Sequence, residues 1–143
     1  TPEALVAAAD ETLRGAGLSG AKAACVRALG EAATSGQLRL DAAGRMGDDE
    51  LVEHLSAVRG IGRWTAEMFL IFSLGRLDVW PVGDYGVRKG YALAYGLADL
   101  PTPKELTPLG DRFRPYRSVA AWYCWRAVER PELVQASAPQ GAP

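Results

Sequence analysis

Apolar positions along the chain fall at helical spacing, and the pattern predicts an all-α protein. Residues 2–14 set Leu5, Ala9, Thr12 and Leu13 along one stripe before Gly15 and Gly17 punctuate it. Ser19 stands where it can cap a second helix reaching about Ser35, with Ala23, Val26, Ala28 and Leu29 as packing residues. Asp41 opens a short turn of helix. Asp48 is read as the cap of a better-defined one that carries Leu51, Val52, Leu55 and Val58 and is interrupted by Gly60. After Gly62 comes an apolar helix over 63–74, with Ala66, Phe69, Leu70 and Phe72 on its packing faces. Pro81 excludes a continuous helix from 63 to 95, because it lacks an N–H donor and its ring clashes with the preceding turn. Further helices are predicted over 84–95, near 103–110 after a Pro-rich connection, and from about 116 to 129. Pro131 onward reads as a weakly structured tail, which sets the boundaries at a domain over 1–130 and a tail over 131–143.

With 143 residues and 48% hydrophobic composition, one compact domain with one core is the default. Cys25 and Cys124 lack metal-ligand spacing, and His54 is the single histidine, so a zinc or iron–sulfur centre has almost no ligand supply. The two thiols are read as isolated core residues. No stretch approaches the roughly 20 apolar residues that cross a bilayer, and no secretory signal is evident, so the expectation is a cytoplasmic protein with no membrane partner. The formal charge of −1 says little as a total. Residues 1–58 hold five Lys/Arg against nine Asp/Glu, whereas residues 59–126 hold ten against six, a change from −4 to +4. The second portion is the one suited to face phosphate.

The most informative run is Leu55-Ser56-Ala57-Val58-Arg59-Gly60-Ile61-Gly62-Arg63-Trp64-Thr65-Ala66. Gly60 and Gly62 permit a tight connection between two helices, and Ile61 is placed to pack inward. Such a turn exposes backbone amides at a helix start, which suits a phosphate and reads no sequence. An isolated Gly-X-Gly is most often an ordinary turn. Asp84 likewise has a plain structural reading, since after Pro81 and Gly83 it can cap the helix beginning at Tyr85.

Taken with Val79-Trp80-Pro81-Val82-Gly83-Asp84-Tyr85, the Gly60-Ile61-Gly62-Arg63-Trp64-Thr65-Ala66 block resembles the helix-hairpin-helix DNA glycosylase superfamily. Arg114-Pro115-Tyr116-Arg117-Ser118, followed by Trp125, looks specifically like bacterial 3-methyladenine DNA glycosylase II. The resemblance covers roughly residues 1–130. It implies a catalytic domain that here lacks its upstream helices and is a monomer when complete, in association with the missing upstream domain. It also implies a nucleoid-associated enzyme of base excision repair whose partner is double-stranded DNA containing a damaged base.

The resemblance assigns Asp84 as the catalytic carboxylate, which supports positive charge developing on the sugar as the N-glycosidic bond breaks and orients the attacking water. It places Trp64 and Trp125 as aromatic boundaries of the base pocket. Met68 stands there where the resembling enzyme has tyrosine, and Trp122 replaces a smaller aliphatic. Trp64 also occupies the position at which glycosylase/lyase relatives carry lysine, so a monofunctional enzyme leaving an abasic site is implied. Gly60, Gly62, Arg63, Thr65 and Arg117 are the DNA-backbone candidates. No cofactor is required, and a structural Na+ or K+ held by the backbone carbonyls of Ser56, Val58 and Ile61 is implied alongside the plain reading of a turn without an ion. Trp80 and Trp122 read as packing residues, and Lys89 as a phosphate-attracting or solvated one.

The leading reading is excision of alkylated purines such as 3-methyladenine. A glycosylase for uracil or mismatched bases, a noncatalytic helix-hairpin-helix DNA-binding module and an all-α protein–protein module stand as alternatives.

Overall fold

The structure, a computed structural model, describes residues 1–135, and every regular element in that range is helical. The helices are α1 (Pro2–Ala7), α2 (Asp10–Gly15), α3 (Gly20–Thr34), α4 (Asp48–Ser56), α5 (Arg63–Phe72), α6 (Tyr85–Tyr95), α7 (Pro103–Leu109), α8 (Arg117–Glu129) and α9 (Pro131–Gln135), with 3-10 turns at Ala43–Arg45 and Asp111–Phe113. The all-α expectation holds. Where the sequence offered one core as the default, the contacts divide the chain into two compact units, Thr1–Phe69 and the residues from Leu70 onward.

In the first unit, the expected helix over 2–14 is two helices, because Ala8 and Ala9 are extended. Arg27 of α3 occupies the break: its guanidinium donates to the carbonyls of Val6 and Ala8 at 2.9 and 3.0 Å and to Asp10 Oδ1 at 2.6 Å. Those carbonyls point out of any continuing helix and are satisfied by the cation instead. Gly30 lets α1 lie close on α3, since a Cβ there would sit 3.0 Å from the Pro2 carbonyl and 3.1 Å from Val6. Ser19 caps α3 as expected, accepting from Lys22 N at 3.4 Å. Asp48 is the first residue of α4 rather than its cap; Gly47 holds the cap position and donates its N–H to Glu50 at 3.3 Å. Leu51, Val52, Leu55 and Val58 are buried, as the spacing predicted. His54 is a satisfied structural residue whose Nε2 accepts from Arg39 N at 3.1 Å.

In the second unit, Trp80, Val87, Tyr91, Leu106, Ala121 and Cys124 form the core, each large apolar side chain contributing about 1.5–3 kcal/mol by burial. Trp80 is anchored by its indole N–H on the Leu106 carbonyl at 3.0 Å, and it packs over Gly110, where a Cβ would come within 2.4 Å of the ring. α6 and α8 cross at Gly90. α7 starts on a capping box, with Thr102 and Glu105 exchanging hydrogen bonds. The predicted tail begins differently: residues 131–135 are helical as α9, and the remainder of 131–143 lies outside the described residues. Among the described residues no helix is long and apolar enough to cross a membrane.

Candidate functional site

The Gly60–Gly62 turn is built as a hairpin between α4 and α5. α4 ends at Ser56, and the chain reverses with Ile61 N donating to the Val58 carbonyl at 3.0 Å. Gly60 has φ +90, a conformation that L side chains rarely adopt, and a Cβ there would lie 2.8 Å from both Cβ and Sγ of Cys25. Two independent constraints therefore demand glycine at 60. Among the described residues nothing crowds the Cβ position of Gly62, which carries no such constraint. Ile61 is half-buried, in keeping with an inward-packing residue.

α5 starts at Arg63, Ala66 N donates to the Gly62 carbonyl at 3.1 Å, and Arg63, Trp64 and Thr65 on the first turn are exposed. Arg63 is partly committed elsewhere: its Nε donates to Glu67 Oε1 at 2.8 Å, and Glu67 is only 3% exposed. A buried carboxylate is costly without a cation beside it, which gives Arg63 a structural duty that the sequence did not reveal. Trp64 is 52% exposed, and Met68, one turn later on the same helix face, is half-buried. That exposure sets Trp64 apart from a core tryptophan such as Trp80.

Asp84 is placed by a chain of local contacts. Val79, Trp80 and Pro81 are buried, Val82 N bonds the Trp80 carbonyl at 2.9 Å, and Asp84 N bonds the Pro81 carbonyl at 2.9 Å. Pro81 forces the turn, and Asp84 then caps α6 through Oδ1, which accepts from Val87 N at 2.8 Å. The same oxygen accepts from Trp125 Nε1 at 2.8 Å. The structural reading of Asp84 holds, and the cap fixes the orientation of the carboxylate.

Trp125 thus holds the carboxylate directly. One face of its indole stacks on Phe72, with centroids 5.6 Å apart and planes at 27°. It reaches Asp84 because Gly86 has no side chain: a Cβ there would lie 2.7 Å from the indole ring. Phe72 and Gly86 were not singled out in the sequence as site residues. Trp80 is a packing residue as expected, whereas Trp122 is not: it is 49% exposed, edge-on to Tyr123 and under the Arg126 guanidinium at 5.6 Å. Lys89 is exposed.

Arg117, taken from the sequence as a DNA-backbone candidate, is engaged within the protein. Its Nε donates to Asp78 Oδ1 at 2.7 Å, and one terminal nitrogen donates to the Asp78 carbonyl at 2.7 Å and to Oδ2 at 3.0 Å. Arg114 adds a bond to Asp78 Oδ2 at 2.9 Å. Ser118 is buried; its hydroxyl donates to the Arg76 carbonyl at 2.7 Å and accepts from Val79 N at 3.0 Å, while its own N–H meets the Leu77 carbonyl at 2.9 Å. The Arg-Pro-Tyr-Arg-Ser run consequently grips residues 76–79. Sequence spacing hides this, because Asp78 lies 39 residues from Arg117.

The hydrogen bond from Arg117 holds the Asp78 carboxyl below its ordinary 3.8, with the Arg117 and Arg114 charges adding to it. A carboxylate with a lowered folded-state value stabilises the fold above its unfolded pKa, and that contribution is lost as pH falls through the lower folded value. Urea midpoints compared at pH 7 and between pH 4 and 2 should therefore show a smaller acid-induced loss for Asp78→Asn than for the wild type. Equal acid sensitivity in the two proteins would remove Asp78 from the acid response. Cys124 offers no nucleophile: it is buried and its thiol is pushed up to about 12 by that burial.

No family model matches the chain. Over 127 residues it is 39% identical to DNA-3-methyladenine glycosylase 1 of Schizosaccharomyces pombe, an alignment covering 88% of this chain and 56% of that protein. The solved structure of the S. pombe 3-methyladenine DNA glycosylase in complex with abasic DNA matches with a TM-score of 0.84 at 38% identity, covering 90% of this chain and 63% of that one. A DNA-3-methyladenine glycosidase from Bacillus halodurans matches with a TM-score of 0.82 at 40% identity, covering 93% and 61%. The chain spans between 56% and 63% of the length of these relatives.

Proposed function

Since the chain belongs to the helix-hairpin-helix DNA glycosylase superfamily, we propose that residues 1–130 are the larger part of a monofunctional glycosylase domain that removes alkylated purines from double-stranded DNA. The observation that carries this reading is the seating of Asp84, whose Oδ1 is fixed by two donors at the start of α6.

In the proposed reaction the hairpin amides and the start of α5 hold a DNA phosphate, and the damaged nucleotide is extruded from the stack. Trp64, with Met68 beside it, offers a polarizable face to the base, which favours electron-poor alkylated purines. The C1′–N bond breaks with its electron pair leaving on the base, the sugar becomes cationic, and the Asp84 carboxylate stabilises that charge. Water then adds at C1′ as Asp84 orients it and accepts its proton, leaving an abasic site. No amine takes part, since Trp64 stands at the lyase position. Acting on chromosomal DNA, such a protein works at the nucleoid.

The carbonyls of Ser56, Val58 and Ile61 suit a Na+ or K+, hard oxygen donors matching a hard cation. Among the described residues Ser56 Oγ is itself buried with no hydrogen-bond partner, and α4 ends at this residue, where helix carbonyls lose their intrahelical donors. A cation there would supply positive charge beside the phosphate.

A release assay on duplexes carrying 3-methyladenine, 7-methylguanine, hypoxanthine, uracil or a mismatch, run on the protein at the full length of its relatives, tests the reading. Alkylpurine release followed by alkaline cleavage of the product strand supports it. Release of uracil or of a mismatched base without alkylpurine release rejects the substrate class, and DNA binding without any release favours the noncatalytic module.

The hairpin role makes a separate prediction. Gly60→Ala should weaken binding to undamaged duplex by about tenfold or more, the scale of one hydrogen bond to a charged group, with little change in helicity by circular dichroism. Fluorescence anisotropy at low salt measures it, and unchanged affinity would separate the hairpin from phosphate binding.

A further inference from the structure

The Arg-Pro-Tyr-Arg-Ser run has no place in the reaction as drawn, and its two arginines are turned onto Asp78. Its location explains why. Arg117 and Ser118 form the first turn of α8, and they hold residues 76–79, the beginning of the segment that ends at Asp84. Trp125, two turns further along α8, holds the carboxylate at the end of that segment. One helix thus contacts both ends of the peptide that delivers Asp84, with Trp80 anchored on Leu106 between them.

We propose that α8 is a two-point support for Asp84, in which Arg117 and Ser118 are positioning residues that fix the delivering segment and Trp125 is a positioning residue that fixes the carboxylate itself. The catalytic consequence rests on the reading of Asp84 above. The chemistry of each contact favours rigidity. Arg117 presents a planar fork to Asp78 and also reaches its backbone carbonyl, so side chain and main chain are held together. Ser118 bridges two backbone groups of the segment, a donor to Arg76 and an acceptor from Val79, which a hydroxyl alone among small side chains can do. Trp125 gives a single donor on a ring that stacking on Phe72 and the gap at Gly86 allow in one place. A carboxylate that must meet charge developing at one atom gains from being held before the reaction begins.

The Asp84 contacts provide their own reporters, since Trp125 Nε1–H and Val87 N–H both donate to Oδ1. Hydrogen exchange of these two protons, followed by NMR in the intact chain, tests the proposal without requiring turnover. Arg117→Lys keeps the charge and loses the fork, with Arg114 still on Asp78; Ser118→Ala removes the bridge. In either variant both reporters should exchange about tenfold faster or more, the scale of one charge-assisted hydrogen bond, while the Tyr91 amide in the buried middle of α6 keeps its rate. Unchanged reporters overturn the proposal. Reporters that accelerate in step with Tyr91 also overturn it, because the clasp would then serve global stability alone. Trp125→Phe, which keeps an aromatic ring and removes the donor, should accelerate Val87 alone. In protein that releases base, the same variants should lower kcat with KM nearly unchanged. Wild-type release by Asp84→Asn would sink the catalytic reading of Asp84 and leave the exchange result to judge the support by itself.

Discussion

Asp84→Asn should lower the rate of base release by about 10²–10⁴-fold, the range that a positioned acid or base contributes. The substitution isolates charge from geometry. Asparagine is as good an N-cap as aspartate, and its Oδ1 can still accept from Val87 N and Trp125 Nε1, so the start of α6 and the seat of Trp125 persist. What disappears is the negative charge next to the cationic sugar and the ability to take a proton from water. Single-turnover release at saturating protein reads the chemical step, with the DNA dissociation constant and the urea midpoint measured alongside. A loss confined to the rate supports the catalytic role. Retention of release within a few-fold, at unchanged binding, would reduce Asp84 to a helix cap.

The sequence was most legible where local chemistry decides structure. Ser19, Pro81, Asp84 and the Gly60 turn act within a few residues of themselves, and each sits where its residue type directs. Asp48 shows the limit of such reasoning, since a neighbouring glycine took the cap once Glu50 folded back onto its amide. The break at Ala8 and Ala9 depends on Arg27, a residue 19 positions from Ala8, and no local pattern announces it. The site followed the same division. Asp84 and Trp125 were both recognised, but the hydrogen bond that joins them spans 41 residues and was not. The resemblance singles out Arg117 for phosphate, while a basic residue at that place can equally stabilise the protein's own helix ends; its partner, Asp78, is an isolated acid in the sequence. Trp122 looked like core because its helix is apolar, yet it is half-exposed. One available signal went unused. Gly86 and Gly90, four apart within an otherwise well-formed helix, mark a face that another element approaches closely.

Gly90→Ala carries the largest stability effect expected in the molecule. A Cβ built on Gly90 lies 1.9 Å from the Cys124 carbonyl oxygen, 2.4 Å from its carbon and 2.6 Å from its Cα. All three are backbone atoms, so no rotamer change relieves the overlap, and α6 and α8 must move apart. Overpacking in a close-packed core costs about 1–3 kcal/mol where side chains can adjust, and this site falls at or above the upper end. Alanine returns at most about 1 kcal/mol in helix propensity. The net loss is a large fraction of an ordinary domain's 5–15 kcal/mol, so the urea midpoint should drop markedly. The separation also pulls Trp125, next to Cys124, away from the start of α6. Gly86→Ala is the informative contrast. Its Cβ would meet the Trp125 ring at 2.7 Å, a side chain that can swing aside, so the midpoint should change less while the bond to Asp84 is lost. The two alanines, placed one helical turn apart, therefore separate the packing of α6 on α8 from the orientation of the carboxylate. A Gly90→Ala protein with a midpoint at or above that of the wild type would mean that the two helices do not cross this closely, and the seat of Asp84 would need another explanation.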